Sequence, residues 1–337
     1  MFRSKIGSTQ AMASAIASTL LLCAPAWAAN DQSHQTVSTT TTTTSKAIRT
    51  VATVAPKVLT PYRSWLPKTG KPRLVLFCIH ALGMSSKSYD NFGRRMAASG
   101  IPTYALDVRG FGKWMKQPDT AQLDFPACLA DVEQGLKTLH KAYPGVPVFL
   151  VGESMGGAIA IQAASRYPDL VNGLVAAVPS SEERAGSMKS GLWVAFKTAE
   201  NPSAKVDMSP IVVDGATDSA SVRRKLNSEP LNRMDLSKKE LGQFEKFMKE
   251  THDAAPLVER TPVLMLVAYK DKLVTPGGSV LLFSEMTSSQ KMMIGDGNGE
   301  HLMLEEGQMT PEIERMLNNW LRDRTSSRLN GRHVASK

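Results

Sequence analysis

The chain has 337 residues, 42% of them hydrophobic, with 40 lysines and arginines against 31 aspartates and glutamates and a formal charge of +9. That length suits one large α/β domain carrying an insertion better than two unrelated domains. The cations are scattered, without a dense basic run or interleaved aromatics, which argues against a nucleic-acid partner and leaves solubility as the reason for the charge.

Arg3 and Lys5 precede a stretch of mostly apolar or small residues, 11–23, and Ala26-Trp27-Ala28 has the small-x-small form of a cleavage site. Residues 1–28 are therefore expected to be a signal peptide, with the protein exported to a periplasm or secreted. The alternative is a membrane tether through an uncleaved amino terminus. Thr39 to Thr44 is an unbroken polar tract with nothing to bury, so 29–46 reads as a disordered linker. After the expected cleavage, Cys78 and Cys128 remain, in an apolar run and a helical pattern, and read most simply as buried thiols, although an exported location permits a disulfide between them. Neither has metal-ligand spacing, and no metal or cofactor is expected.

From residue 73 the chain alternates. The spacing predicts strands over 73–80, 101–110, 148–151, 171–179, 261–271 and 290–297. Helices are expected over 89–99, 125–143, 278–286 and 311–324. Continuous apolar strands separated by helices specify an α/β fold with a doubly wound, mostly parallel sheet covered on both faces. The core is assigned to 47–180 and 261–325. Between its parts, 181–260 is charged and helical in character and is expected to form a helical cap; 326–337 reads as a frayed basic tail.

The strand at 148–151 enters a helical pattern through Gly152-Glu153-Ser154-Met155-Gly156-Gly157. A strand that turns sharply into a helix through Gly-x-Ser-x-Gly holds a serine hydroxyl clear of the sheet, beside the first N–H groups of the helix. Attack through serine also needs a base and an acid to orient it, from loops at the carboxyl ends of other strands. Asp271 follows one such strand and His301 another, so the order Ser154, Asp271, His301 matches the order of an elbow-type triad. Asp296 is a rival acid. Of the other histidines, His34 and His333 lie in tails, His140 on a helix face and His252 in the insertion, while His80 sits in the wrong loop for a base. The developing oxyanion needs two backbone donors, expected from Met155 and from the loop after 80, at Leu82.

These residues together resemble the monoacylglycerol lipase and lysophospholipase group of α/β-hydrolases, often labelled serine-aminopeptidase-like. The matching motifs are His80-x-x-Gly83, Asp107-x-Arg109-Gly110-x-Gly112, Gly152-Glu153-Ser154-Met155-Gly156-Gly157, Asp271-x-Leu273-Val274 and His301, spanning Trp65 to Leu321. The resemblance implies a cofactor-independent serine esterase acting on monoacylglycerols, lysophospholipids or short acyl esters, with a cap where 181–260 falls. Two departures stand out. Ala81 replaces the glycine that usually follows the histidine, which requires a negative φ there, and Glu229-Pro230-Leu231 stands where such caps often carry Asp-Pro-Leu. In the cap, Leu192, Trp193 and Phe196 are the expected acyl contacts, and its apolar residues allow transient contact with a membrane surface. Leu241, Phe244 and Phe247, in the second half, read mainly as packing between cap and body. An aminopeptidase or amidase on the same triad, using Glu182, Glu183 or Glu229 to receive a free amine, is one alternative; an exported binding protein without turnover is another. Epoxide hydrolase and dehalogenase chemistry would need a carboxylate at 154.

Overall fold

A computed structural model of the chain describes residues 62–179 and 201–334, with side chains through residue 325. The expected signal peptide and linker, together with the first part of the cap and its Leu192, Trp193 and Phe196, lie outside the described residues.

A seven-stranded sheet forms the body. Its strands are β1 (Tyr62–Trp65), β2 (Val75–Ile79), β3 (Thr103–Leu106), β4 (Val148–Glu153), β5 (Gly173–Ala177), β8 (Val263–Ala268) and β9 (Lys291–Asp296). Their order is β1-β3-β2-β4-β5-β8-β9, with β1 antiparallel to β3 and every other pair parallel. The central strands alternate between two cores, as the two-residue period of a strand dictates. Val75, Phe77 and Ile79 of β2, with Val148 and Leu150 of β4, face a core shared with helices α2 (Phe125–Ala142), α3 (Met155–Arg166) and α6 (Lys238–Ala254). Leu76, Cys78, Phe149 and Val151 face the opposite core, closed by α1 (Asp90–Ala98) and α8 (Pro311–Val334). Cys78 and Cys128 are free and buried.

Because β2, β4, β5, β8 and β9 all run the same way, their carboxyl ends open on one edge. There the chain reverses direction between β2 and β4, which is where doubly wound sheets place their ligand crevice. The loops after Ile79, Glu153, Ala268 and Asp296 meet at that edge.

Two expectations are corrected. The insertion is not purely helical: β6 (Lys205–Asp207) and β7 (Asp235–Ser237) pair antiparallel and bracket helices α4 (Ser209–Ala216) and α5 (Ala220–Ser228). Strands of three residues are too short for a period-two pattern to register in the sequence. The last helix also continues to Val334, past the expected start of a frayed tail. No proline after 311 interrupts it, and a basic carboxyl-terminal stretch is favourable at that end of a helix.

Candidate active site

β4 runs through Glu153 and α3 starts at Met155, leaving Ser154 alone to make the turn, at φ 54° and ψ −118°. Non-glycine residues rarely hold such angles, which cost on the order of 1–3 kcal/mol. Ser154 is pinned there from both sides. Its N–H donates to the Ala177 carbonyl (2.9 Å), and its own carbonyl accepts from Ala158 N–H (3.1 Å). The flanking glycines are fixed by contact distances. A Cβ on Gly156 would stand 2.0 Å from the Ile79 carbonyl oxygen, and one on Gly152 would stand 2.1 Å from that of Gly156. Strand and helix touch backbone to backbone, so the elbow closes only without side chains.

Asp271 and His301 come together in the loops after β8 and β9. His301 Nδ1 lies 2.8 Å from Asp271 Oδ2, with both side chains buried. The carboxylate is oriented through its other oxygen, which accepts N–H bonds from Leu273 (2.7 Å) and Val274 (2.9 Å). A proton on Nδ1 donates to Asp271 and leaves Nε2 as the basic nitrogen. Burial pushes the imidazole toward its neutral form. The Asp271 charge and hydrogen bond, with the Glu153 carboxylate behind them, outweigh burial and raise the His301 pKa above its ordinary value. The rival Asp296 instead accepts the N–H of Asn298 within its own loop (2.9 Å).

Met155 is the first residue of α3, so its N–H has no partner within the helix. The loop after β2 runs through Ala81 and Leu82, both buried, to Gly83 at φ 79°. Ala81 is not among the positive-φ residues, which meets the condition its methyl group sets. His80 is buried and has a structural part. Its Nε2 accepts Val108 N–H (3.0 Å) and its Nδ1 faces the Ala81 carbonyl (2.8 Å), an arrangement satisfied by the neutral ring. Burial lowers its pKa in the same sense. Asp107 braces the neighbouring loop by accepting N–H from Ser86 (2.8 Å) and Lys113 (3.0 Å). Arg109 pairs with Asp131 in two hydrogen bonds, at 2.6 and 3.0 Å.

Sequence reasoning passed over Glu153 and Glu305, both fully buried at this edge. Glu153 Oε1 accepts N–H from Met303 (2.6 Å) and Leu304 (2.9 Å), and its Oε2 accepts from Glu305 (2.9 Å). Glu305 Oε1 accepts Ala81 N–H (2.8 Å). An ionisable residue ending an otherwise apolar strand was the available signal for Glu153.

The described part of the cap is docked on these loops. Thr217 Oγ1 and Asp218 N–H donate to Glu300 Oε2 (2.6 and 3.0 Å), Lys272 pairs with Asp218 (2.5 Å), and Lys225 pairs with Glu306 (2.6 Å). Ala81, Met84, Val213, Ala216, Val222, Leu226, Leu273, Val274 and Leu302 form one apolar cluster across that junction. Leu241, Phe244 and Phe247 are buried in the body core, where Phe247 stacks on Phe125 at 4.0 Å between ring centres. They hold the insertion down rather than line a crevice. His252 pairs with Glu285 and His140 with the Leu170 carbonyl, each at 2.8 Å. Among the described residues no group of three or more His, Cys, Asp or Glu side chains is placed to hold a metal ion.

Fold and site together define a serine hydrolase with the α/β-hydrolase architecture. The chain belongs to the Hydrolase_4 family, serine aminopeptidase S33, whose pattern matches residues 70–308. Among the proteins it is similar to are monoacylglycerol lipases. It is 28% identical to the human monoglyceride lipase over 272 residues, 79% of this chain and 87% of that one. It is 22% identical to the monoacylglycerol lipase of Mycolicibacterium smegmatis over 227 residues, 67% of this chain and 80% of that one. The solved structure of a soluble variant of the Saccharomyces cerevisiae monoglyceride lipase superposes with a TM-score of 0.69 at 19% identity, covering 82% of this chain and 97% of that one. The monoacylglycerol lipase of Paleococcus ferrophilus gives 0.66 at 22%, covering 79% and 99%. Both share the fold.

Proposed function

We propose that this chain cleaves monoacylglycerols and related acyl esters through Ser154, His301 and Asp271. The observation that carries the reading is the buried His301–Asp271 pair, with Glu153, the residue before Ser154, gripping the loop that carries His301 through three N–H bonds. Ser154 Oγ attacks the ester carbonyl carbon as its proton passes to His301 Nε2. The N–H groups of Leu82 and Met155 receive the negative charge on the carbonyl oxygen. The tetrahedral intermediate collapses, the C–O bond to the alcohol breaks, and His301 returns the proton to the leaving oxygen. Water then repeats the sequence on the acyl-enzyme and releases the acid. Asp271 holds the imidazole in the required tautomer and offsets its positive charge. The apolar cluster joining the cap to the three loops supports an acyl substrate, as does the likeness to monoglyceride lipases. Glu229, one of the acids considered for binding a free amine, is already paired with Lys87 (2.5 Å), which favours the ester over the aminopeptide.

The test is turnover by the full chain of p-nitrophenyl esters from two to sixteen carbons, monoacylglycerols, a lysophospholipid and an amino-acyl p-nitroanilide. Ester cleavage with a preference for monoacylglycerol, and labelling by a fluorophosphonate probe, is the expected result. Cleavage of the anilide alone, or no labelling, would overturn the proposal.

A pH dependence follows. The base must be neutral to accept the serine proton, and a raised His301 pKa keeps it protonated to a higher pH. The acid limb of kcat/KM is therefore expected above the ordinary histidine value of about 6.5. Asp271→Asn, which removes the charge holding it up, should move that limb to lower pH. An unchanged limb would mean that another group sets it.

A further inference from the structure

We propose that Glu153 and Glu305 act as a paired carboxyl brace that holds the nucleophile turn, the oxyanion loop and the base loop in register, with Glu305 as the neutral acid and Glu153 as the carboxylate. This rests on the reading of Ser154 as nucleophile and of Leu82 as an oxyanion donor.

The geometry is a chain of contacts across the edge of the sheet. Glu153 immediately precedes Ser154. Its two oxygens accept the successive N–H groups of Met303, Leu304 and Glu305, which begin two residues after His301. Glu305 then turns its own Oε1 to the N–H of Ala81, the residue before Leu82. Each of the three reacting elements is thus one residue or two from a group in this chain. A shift of the brace would displace the base and the oxyanion donor together, and small misplacements of reacting groups cost large factors in rate.

The protonation states follow from what surrounds the pair. Neither carboxyl makes an ion pair with a cation among the described residues, and two unpaired buried charges side by side would be costly. Glu153, with three N–H donors, is the better site for the charge. Glu305 accepts one N–H, and its Oε2 has no partner among the described residues, which suits the protonated oxygen better than a charged one. The neighbouring titratable groups come from every element packed there: Cys78 on β2, Tyr89 before α1, His301, and Glu306 beside Glu305. Ser88 and Tyr89 border Glu305, but their hydroxyls bond to the Ser85 and Ile79 carbonyls. Burial, followed by the Glu153 charge, raises the Glu305 pKa well above the carboxylate range. Burial also raises Glu153, against its three N–H bonds, to about 7.

The test is steady-state kinetics of full-length variants on one ester, with the pH profile recorded for each. Glu305→Leu removes the acceptor for Ala81 N–H at similar volume and is expected to lower kcat roughly 10- to 100-fold with KM within about twofold. Glu305→Gln supplies the same acceptor without charge and should return kcat to within about threefold of the parent. Glu153→Gln sets an amide NH₂ against a backbone N–H. It should lower kcat about as much as Glu305→Leu and move the acid limb to lower pH, because the Glu153 charge helps hold His301 protonated. The brace is overturned if folded Glu305→Leu keeps kcat within twofold, or if Glu153→Gln does so. The neutral-acid assignment fails if Glu305→Gln is as impaired as the leucine variant. Should Glu305→Leu not fold, the two glutamine variants still decide. Ser154→Ala on the same ester separates the two failures: full activity there refutes the nucleophile itself, whereas its loss beside unaffected brace variants refutes only the brace.

Discussion

Ser154→Ala is expected to lower kcat by at least about 10⁴-fold while leaving KM within roughly threefold, because it removes the group that forms the bond and leaves the binding surface intact. His301→Ala should cost a similar factor, and the double variant little more, since the two act as a unit. The same position makes a second, opposite claim on stability. At φ 54° and ψ −118° the serine backbone carries strain that glycine does not. Ser154→Gly is therefore expected to raise the unfolding free energy by about 1 kcal/mol, the relief exceeding the extra chain entropy of glycine. Inactivity with an increased Tm is the signature of a residue strained for function. A Ser154→Gly variant with a lower Tm would show that the turn is relaxed as built.

Glu240→Ala is expected to be the most destabilising substitution in the insertion, by about 3–5 kcal/mol, seen as a fall in Tm on the order of 10 °C. Glu240 and Arg233 are both buried and meet through two contacts, at 2.7 and 2.9 Å. The glutamate also accepts N–H from Leu123 (2.8 Å) and Ser237 (2.9 Å). Arg233 donates to the carbonyls of Gly110 (3.0 Å), Ala121 (2.8 Å) and Asp235 (2.9 Å). One pair therefore joins β7 and the start of α6 to the loop between β3 and α2. Removing the carboxylate leaves the buried guanidinium with only the more distant and half-exposed Asp235 carboxylate (3.6 Å), and takes the acceptor from the buried Leu123 N–H and the part-buried Ser237 N–H. Burial alone would raise the Glu240 pKa, but Arg233 and the N–H donors bring it below the ordinary value. A depressed carboxyl pKa adds stability that is present above the unfolded value and lost as pH falls through the folded one. The Tm gap between parent and variant should narrow below about pH 4. A change in Tm under 2 °C at neutral pH would mean that the loop is held by other contacts.

Much of this was legible before any coordinates. Apolar runs such as Val148 to Val151 specify buried parallel strands because each side chain in them must meet a core. Gly152 and Gly156 signal a turn tight enough for backbones to touch. Those features depend on neighbours in the chain, as does the order Ser154, Asp271, His301. The sequence favoured Asp271 as the acid that His301 meets but left Asp296 as a rival. Asp271 and Asp296 both end strands, and the choice depends on how two loops fold back over one edge of the sheet.

Leu241, Phe244 and Phe247 show the same limit. Their spacing marks an apolar helix face without showing whether it turns toward a substrate or toward α3. Glu153, Glu305, Arg233 and Glu240 are ordinary charged residues when read one at a time. They become structural only because residues as far as 224 positions apart in the chain are packed where water cannot reach. There a polar group must find a partner within the protein, and the partner is fixed by tertiary packing. Local patterns determine which segments are buried; which buried polar groups meet is decided when the sheet brings distant loops to one edge.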